Sequence, residues 1–261
     1  MEKNLMLMIS DEEYRAAPGI NYSTMKNFAI SAKHYKYALD HPTPPSAAQD
    51  FGSAVHCAIL CPDLYEQLYF ECDEKIDRRT KEGKAIVEAA GERQIVPSLI
   101  RTQIVPEVRS LVNFEPMLRE VSIFWDDCKA KLDAYDPATG TIIDIKTTSE
   151  STKDGFCRSF LRFQYYLQAA HYTKAVEACG LTATRFMILT VENKAPYDVA
   201  LYTVDFPYID YGVQEREKLL AGIRECEFEG EWKGIAREGM VIAKPDYLFL
   251  DSELKISVLD M

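Results

Sequence analysis

"KAKLDAYDPATGTIIDIKTTS", residues 129–149, decides how this chain is read. Residues 137–140, Pro-Ala-Thr-Gly, supply a hairpin loop of a common length, usually built on a type I turn. Symmetric pairing about that loop sets Asp136 opposite Thr141 and Tyr135 opposite Ile142. Continued backwards, the same register sets Asp133 opposite Asp144 and Lys131 opposite Lys146. Strand alternation then gathers those four charged residues on one face. It places Ala130, Leu132, Ala134, Ile143 and Ile145 on the other, against the core.

Directly opposed like charges, with Cβ atoms about 4.5–5.5 Å apart, are destabilising. Two carboxylates so placed imply a cation between them, and oxygen ligands suit Mg²⁺, with Mn²⁺ as a substitute. Lys146 follows Asp144 by two positions and shares its site. There it would orient or deprotonate a water that attacks phosphorus. The alternative is a solvated face of mixed charge, with Lys146 in an ordinary salt bridge. A register slip of one residue would undo the pairing.

Around the hairpin, the chain reads as helices followed by strands. The segment at residues 21–41 reads as one helix with Ser23 as N-cap, ended by "HPTPPSA". "QDFGSAVHCAIL" reads as a second helix, stopped by Pro62. "CDEKIDRRTKEGK" is a charged connector before two further helical stretches, and "REVSIFWDD" alternates as a strand. Residues 154–180 read as one long helix, with Gly180 near its C-cap. Two strands and a last helix follow. The pattern predicts a single α/β domain over residues 1–261 with a helical N-terminal part.

Length and composition bound the function. With 261 residues and 47% hydrophobic content, the chain can bury its own core without disulfides. Its seven cysteines are scattered and form no CxxC pair, so buried free thiols are expected rather than a zinc site or an iron–sulfur cluster. No apolar run is long enough to span a bilayer and the N-terminus has no signal-peptide layout, which predicts a cytoplasmic protein. The net charge of -11 opposes nucleic-acid binding unless basic residues gather on one wall. Arg78, Arg79, Lys81 and Lys84, with Lys33, Lys36, Arg158 and Arg162, are the candidates for that wall. A guanidinium pair such as Arg78 and Arg79 suits a 5′-phosphate; the alternative is a solvated face.

Asp133 followed by "DIK" at 144–146 resembles the core motif of the PD-(D/E)xK nuclease superfamily. "FGSAVHCAIL" resembles the upstream helix of that superfamily, in which a glycine, here Gly52, precedes a metal-binding histidine, here His56. "LQAAHY" matches the QxxxY motif of the RecB-like, lambda-exonuclease-like branch through Gln168 and Tyr172. "ISDEEYRAAPGINYSTM", "DRRTKEGK" and "IIDIKTTS" resemble the RecE family, the exonuclease VIII type of phage recombination exonuclease. The resemblance runs from about Ile9 to about Tyr202.

It implies a restriction-endonuclease-like core, a central mixed sheet flanked by helices. It implies two Mg²⁺ ions per active site, held by His56, Glu120, Asp133, Asp144 and the carbonyl of Ile145, with Lys146 catalytic. Gln168 and Tyr172 would touch the DNA backbone or support the site. Without the resemblance, His56 reads as a satisfied core histidine, Glu120 as a solvated strand end, and Gln168 and Tyr172 as residues flanking the stripe of Phe156, Phe160, Phe163, Leu167 and Ala170. The implied activity is 5′→3′ degradation of one strand of linear double-stranded DNA, leaving 3′ overhangs for recombination by strand annealing. Also implied are a phage or prophage origin, a homo-oligomeric ring (tetramer favoured, trimer possible) and a RecT-like annealing partner. Alternatives are a single-strand exonuclease or endonuclease on the same core, and a catalytically silent DNA-binding subunit.

Overall fold

Most of the chain's β-branched and aromatic alternation is drawn into one sheet, with helices packed on both faces. The computed structural model describes residues 5–42, 47–74 and 76–235. In chain order, β1 (Leu5–Leu7) leads to α1 (Asp11–Ala16), α2 (Tyr22–Phe28), α3 (Ala32–Asp40), α4 (Ala47–Leu60) and α5 (Pro62–Leu68). β2 (Tyr69–Glu71), α6 (Lys81–Ala90) and β3 (Gln94–Val96) precede a π-helical turn, Ile100–Ile104, that runs into α7 (Val105–Leu111). Then come β4 (Leu118–Trp125), β5 (Cys128–Asp136), β6 (Thr141–Thr148), α8 (Lys153–Arg162), α9 (Tyr165–Ala178), β7 (Arg185–Glu192), β8 (Val199–Thr203) and α10 (Phe206–Glu229).

The main sheet has the order β1-β4-β5-β6-β7-β8. Its pairs are antiparallel except β6 with β7, which is parallel and is reached through the crossover of α8 and α9. The sheet is therefore mixed and flanked by helices, the expected architecture. Short β2 and β3 pair in parallel as a separate ribbon.

Each sheet face has its own core. On one, Leu167, Ala169 and Val176 of α9 and Leu220 and Ile223 of α10 pack on Ile142, Phe186 and Ile188. On the other, Ala54, Val55 and Ile59 of α4 pack with Ile100, Ile104 and Val108 on Ile143, Ile145, Leu189 and Val191. Both clusters are built of buried apolar side chains, the arrangement that stabilises a sandwiched sheet.

Local chemistry sets the boundaries, and several differ from expectation. The first helical stretch is two helices: Asn21, not Ser23, caps α2 by accepting the Thr24 N–H at 3.0 Å, and Ser31 caps α3. Pro62 ends α4 and also opens α5, since the first helical turn needs no N–H from it. The long helix expected over 154–180 is broken at Gln164, whose φ of +57° is left-handed. The Phe163 carbonyl freed at that break accepts the Tyr22 hydroxyl, and Phe163 itself is 42% exposed rather than part of the core stripe. All seven cysteines are free, but only Cys128 is buried and Cys157 is exposed. Among the described residues, no helix is long and apolar enough to cross a membrane.

Candidate active site

The hairpin pairs as expected for three rungs, Asp136–Thr141, Tyr135–Ile142 and Ala134–Ile143, and there the ladder ends. Asp133 and Asp144 are not a rung. Instead the Asp133 carboxylate enters the gap and accepts the Ile145 N–H at 2.7 Å, replacing a backbone acceptor. On its other side, β5 pairs with β4 through Arg119–Ala134 and Val121–Leu132, so the residue across from Asp133 is Glu120. Glu120 has a φ of +54°, and the alternation breaks there. Ala130 and Leu132 pack in the α9 core, whereas Ala134, Ile143 and Ile145 pack in the α4 core, so the five do not share one face. A left-handed, non-glycine residue at a ladder break is a costly conformation of the kind that clusters at functional sites.

His56 comes from α4. A Cβ at Gly52, one turn earlier, would lie 2.9 Å from Thr147 Oγ1, so the missing side chain lets α4 sit close over β6. This seats His56 Nδ1 at 3.5 Å from Asp133 Oδ2. One ligand atom each from His56, Glu120 and Asp133 lies within 4.8 Å of the others. Burial pushes Glu120 towards its protonated form, and Asp133 adds to that. Burial would raise Asp133 as well, but His56 and Lys146 outweigh it and hold the carboxyl low.

Asp144 and Lys146 follow on β6. Asp144 is 2% exposed. Its Oδ1 accepts the Gln168 Nε2 amide at 2.7 Å; its Oδ2 has no complete hydrogen bond among the described residues and faces the Lys146 ammonium as an ion pair. Burial raises the Asp144 pKa, against the pull of Lys146. Burial also disfavours the Lys146 ammonium, but Asp144 and Asp133 outweigh it and keep the lysine charged. Lys146 Nζ lies 5.1 Å from the centroid of the Tyr165 ring.

Gln168 and Tyr172 share one face of α9. Gln168 is 4% exposed and spends its amide on Asp144, while Tyr172 packs 6.3 Å, ring to ring, from Phe186. Burial, then Asp144 and Asp133, push the Tyr172 pKa well above its ordinary value. Arg78 and Arg79 are exposed on the connector before α6, and Arg79 forks onto Asp77 at 2.9 and 2.8 Å. In the anticipated basic wall, Lys36 pairs with Asp40 at 2.7 Å and Arg158 with Glu150 at 3.2 Å.

The fold adds residues that motif reading missed. Lys26 of α2 stands 5.4 Å over the Tyr22 ring, and its pKa is lowered by burial and by the neighbouring Lys146 charge. Among the described residues no carboxylate pairs with it. Lys131 binds Glu120 at 2.6 Å and also reaches Asp11. No sequence signal marked Lys26; Lys131 was visible in the hairpin, but its partners on α1 and β4 were not.

The donor set fits a divalent cation: two carboxylates and an imidazole converge, with a third carboxylate beside them.

The description "PDDEXK-like domain of unknown function (DUF3799)" covers residues 21–238 of the chain. No curated protein is significantly similar. Among solved structures, a protein from Eubacterium rectale, provisionally assigned as an exonuclease, has a TM-score of 0.62 at 19% identity, covering 92% of this chain and 96% of its own. A phage-related exonuclease from Haemophilus somnus 129PT has a TM-score of 0.38 at 12% identity, covering 84% of this chain and 99% of its own. The first likeness is one of fold. With the family model spanning most of its length, the chain belongs to the PDDEXK-like family DUF3799.

Proposed function

We propose that the protein is a divalent-metal-dependent exodeoxyribonuclease that removes nucleotides from the 5′ end of one strand of linear duplex DNA. The observation that carries this reading is the convergence of Asp144, Lys146 and Gln168 with the His56, Glu120 and Asp133 cluster. His56, Glu120, Asp133, Asp144 and the Ile145 carbonyl would hold Mg²⁺, or Mn²⁺ in its place, as one or two ions. When bound, the ion offsets charge on the scissile phosphate and acidifies a water.

The chain's own groups do the rest. Lys146, charged between two carboxylates, donates to the attacking water or to a non-bridging phosphate oxygen. Gln168 keeps Asp144 from rotating, and the close seat of α4 keeps His56 on Asp133. Lys26, paired with no carboxylate among the described residues, is suited to a backbone phosphate next to the reacting one. Arg78 and Arg79 would take the 5′-terminal phosphate, Arg79 exchanging Asp77 for it. RecE-like work in phage recombination, a ring assembly (a tetramer before a trimer) and a RecT-like annealing partner extend the same reading.

The test is digestion of end-labelled linear duplex against closed circular duplex, with and without Mg²⁺. Nucleotide release from the 5′ ends of the linear form alone, only with metal, is the expected result. Cleavage of the circle would make the protein an endonuclease, and inertness with every divalent ion would make it a binding subunit.

A further inference from the structure

Lys131 lies beside the candidate ligands, yet the hydrolysis outlined above gives it no part. Its ammonium is shared between two carboxylates, Glu120 Oε2 at 2.6 Å and Asp11 Oδ1. The lysine side chain is 16% exposed and that of Asp11 61%. Asp11 is the first residue of α1, and that helix end is fixed. Ser10 Oγ accepts the Glu13 N–H at 3.2 Å and Glu13 Oε2 accepts the Ser10 N–H at 2.8 Å. Asp11 is thus held at a set place opposite Glu120, with Lys131 between them.

A fixed positive charge on one ligand of a cation site opposes the cation. The opposition weakens as a second carboxylate draws that charge away. We infer that Lys131 is a built-in counter-ion for Glu120, and that Asp11 sets divalent-ion affinity by competing with Glu120 for it. In this arrangement Lys131 neutralises Glu120 when no ion is bound. If Glu120 turned to a metal, Lys131 would keep Asp11 as its partner, so the half-buried ammonium would stay paired. Asp11 therefore acts on the site through Lys131, as a positioning residue.

The inference rests on the metal-centre reading, and it predicts opposite signs for two substitutions. Mn²⁺ titration of the full chain, with free ion followed by electron paramagnetic resonance, gives the dissociation constant directly. Lys131→Met should tighten Mn²⁺ binding about tenfold, because a nearby positive charge is removed. Asp11→Asn should weaken it several-fold, because Lys131 then rests on Glu120 alone. Lys131→Arg, which keeps the charge, should bind close to wild type. The Asp11→Asn/Lys131→Met double variant should bind like Lys131→Met, since Asp11 acts through the lysine. A merely structural Lys131 would give unchanged or weaker binding in Lys131→Met, and that result overturns the inference while leaving the nuclease reading intact. Absence of Mn²⁺ binding by the wild-type chain would overturn both.

Discussion

Gln168 donates its side-chain amide to Asp144 across the interface between α9 and β6, at 2.7 Å, with both residues buried. The bond fixes one oxygen of a carboxylate whose other oxygen faces Lys146. Gln168 is therefore a positioning residue for the Asp-x-Lys strand. Gln168→Leu should lower kcat by about a hundredfold, by analogy with the loss of a preorganising polar contact. Affinity for duplex DNA, measured with Ca²⁺ in place of Mg²⁺, should stay near wild type. A fall in affinity with kcat preserved would assign Gln168 to the DNA instead.

Asp144→Ala should lower stability even without metal. If Asp133 and Asp144 were an opposed rung, removing one would relieve repulsion. The ladder ends before that rung, and Asp144 is the partner of both Lys146 and Gln168. Truncation leaves both donors short of an acceptor, at a cost of about 2 kcal/mol. Chemical denaturation in EDTA measures it, and an increase in stability would refute this account of the ion pair.

His171 supplies a pH dependence away from the catalytic groups. It is fully buried, accepts the Arg216 Nε–H on Nδ1 at 3.1 Å and meets the Lys129 carbonyl with Nε2 at 3.1 Å. Both contacts are satisfied only by the neutral ring carrying its proton on Nε2. Burial, then Arg216, lower its pKa to about 3. Below about pH 6.5 the unfolded chain takes up a proton that the folded chain refuses. Stability from His171 is thus complete above that pH and is lost as pH falls, by up to about 1.4 kcal/mol per unit. His171→Gln, with one acceptor and one donor, should lose about 1 kcal/mol less than wild type between pH 6.5 and 5.5. The difference between the two proteins isolates His171 from His56 and Asp144, which titrate in both. Equal slopes would show that His171 takes no proton on unfolding.

Gly212→Ala should act on the site from a distance. A Cβ at Gly212 in α10 would lie 2.3 Å from the Tyr166 carbonyl and 2.9 Å from Ala170 Cβ, both on α9. The backbone cannot yield cheaply, so α9 must shift, at a cost of about 1–3 kcal/mol. Gln168 lies between those two positions. The variant should lose thermal stability and kcat together, whereas an unshifted midpoint would mean that α9 and α10 are free to slide.

What was legible in the sequence follows from what is local. The hairpin loop, its three rungs and the Asp-Ile-Lys strand are set by residues within a few positions of one another. The mixed, helix-flanked sheet followed from alternation and the motif. The partner of Asp133 was not legible, because Glu120 meets it through the β4–β5 register and a left-handed φ that no glycine announces. The break at Gln164 was hidden for the same reason: tertiary contact through Tyr22, rather than a helix-breaking residue, accompanies it. Lys26 was illegible because α2 reaches the site only in the folded chain.

Lys146→Ala tests the central claim most directly. The ammonium is the one charged donor on the catalytic strand, and its removal should leave metal and DNA binding in place while cutting the rate by at least about a thousandfold. The measurement is nucleotide release from end-labelled linear duplex in Mg²⁺ by wild type and variant, at protein concentrations that saturate the DNA. The account predicts release by the wild type and none above background by the variant. A Lys146→Ala protein that digests the duplex at near the wild-type rate would contradict it.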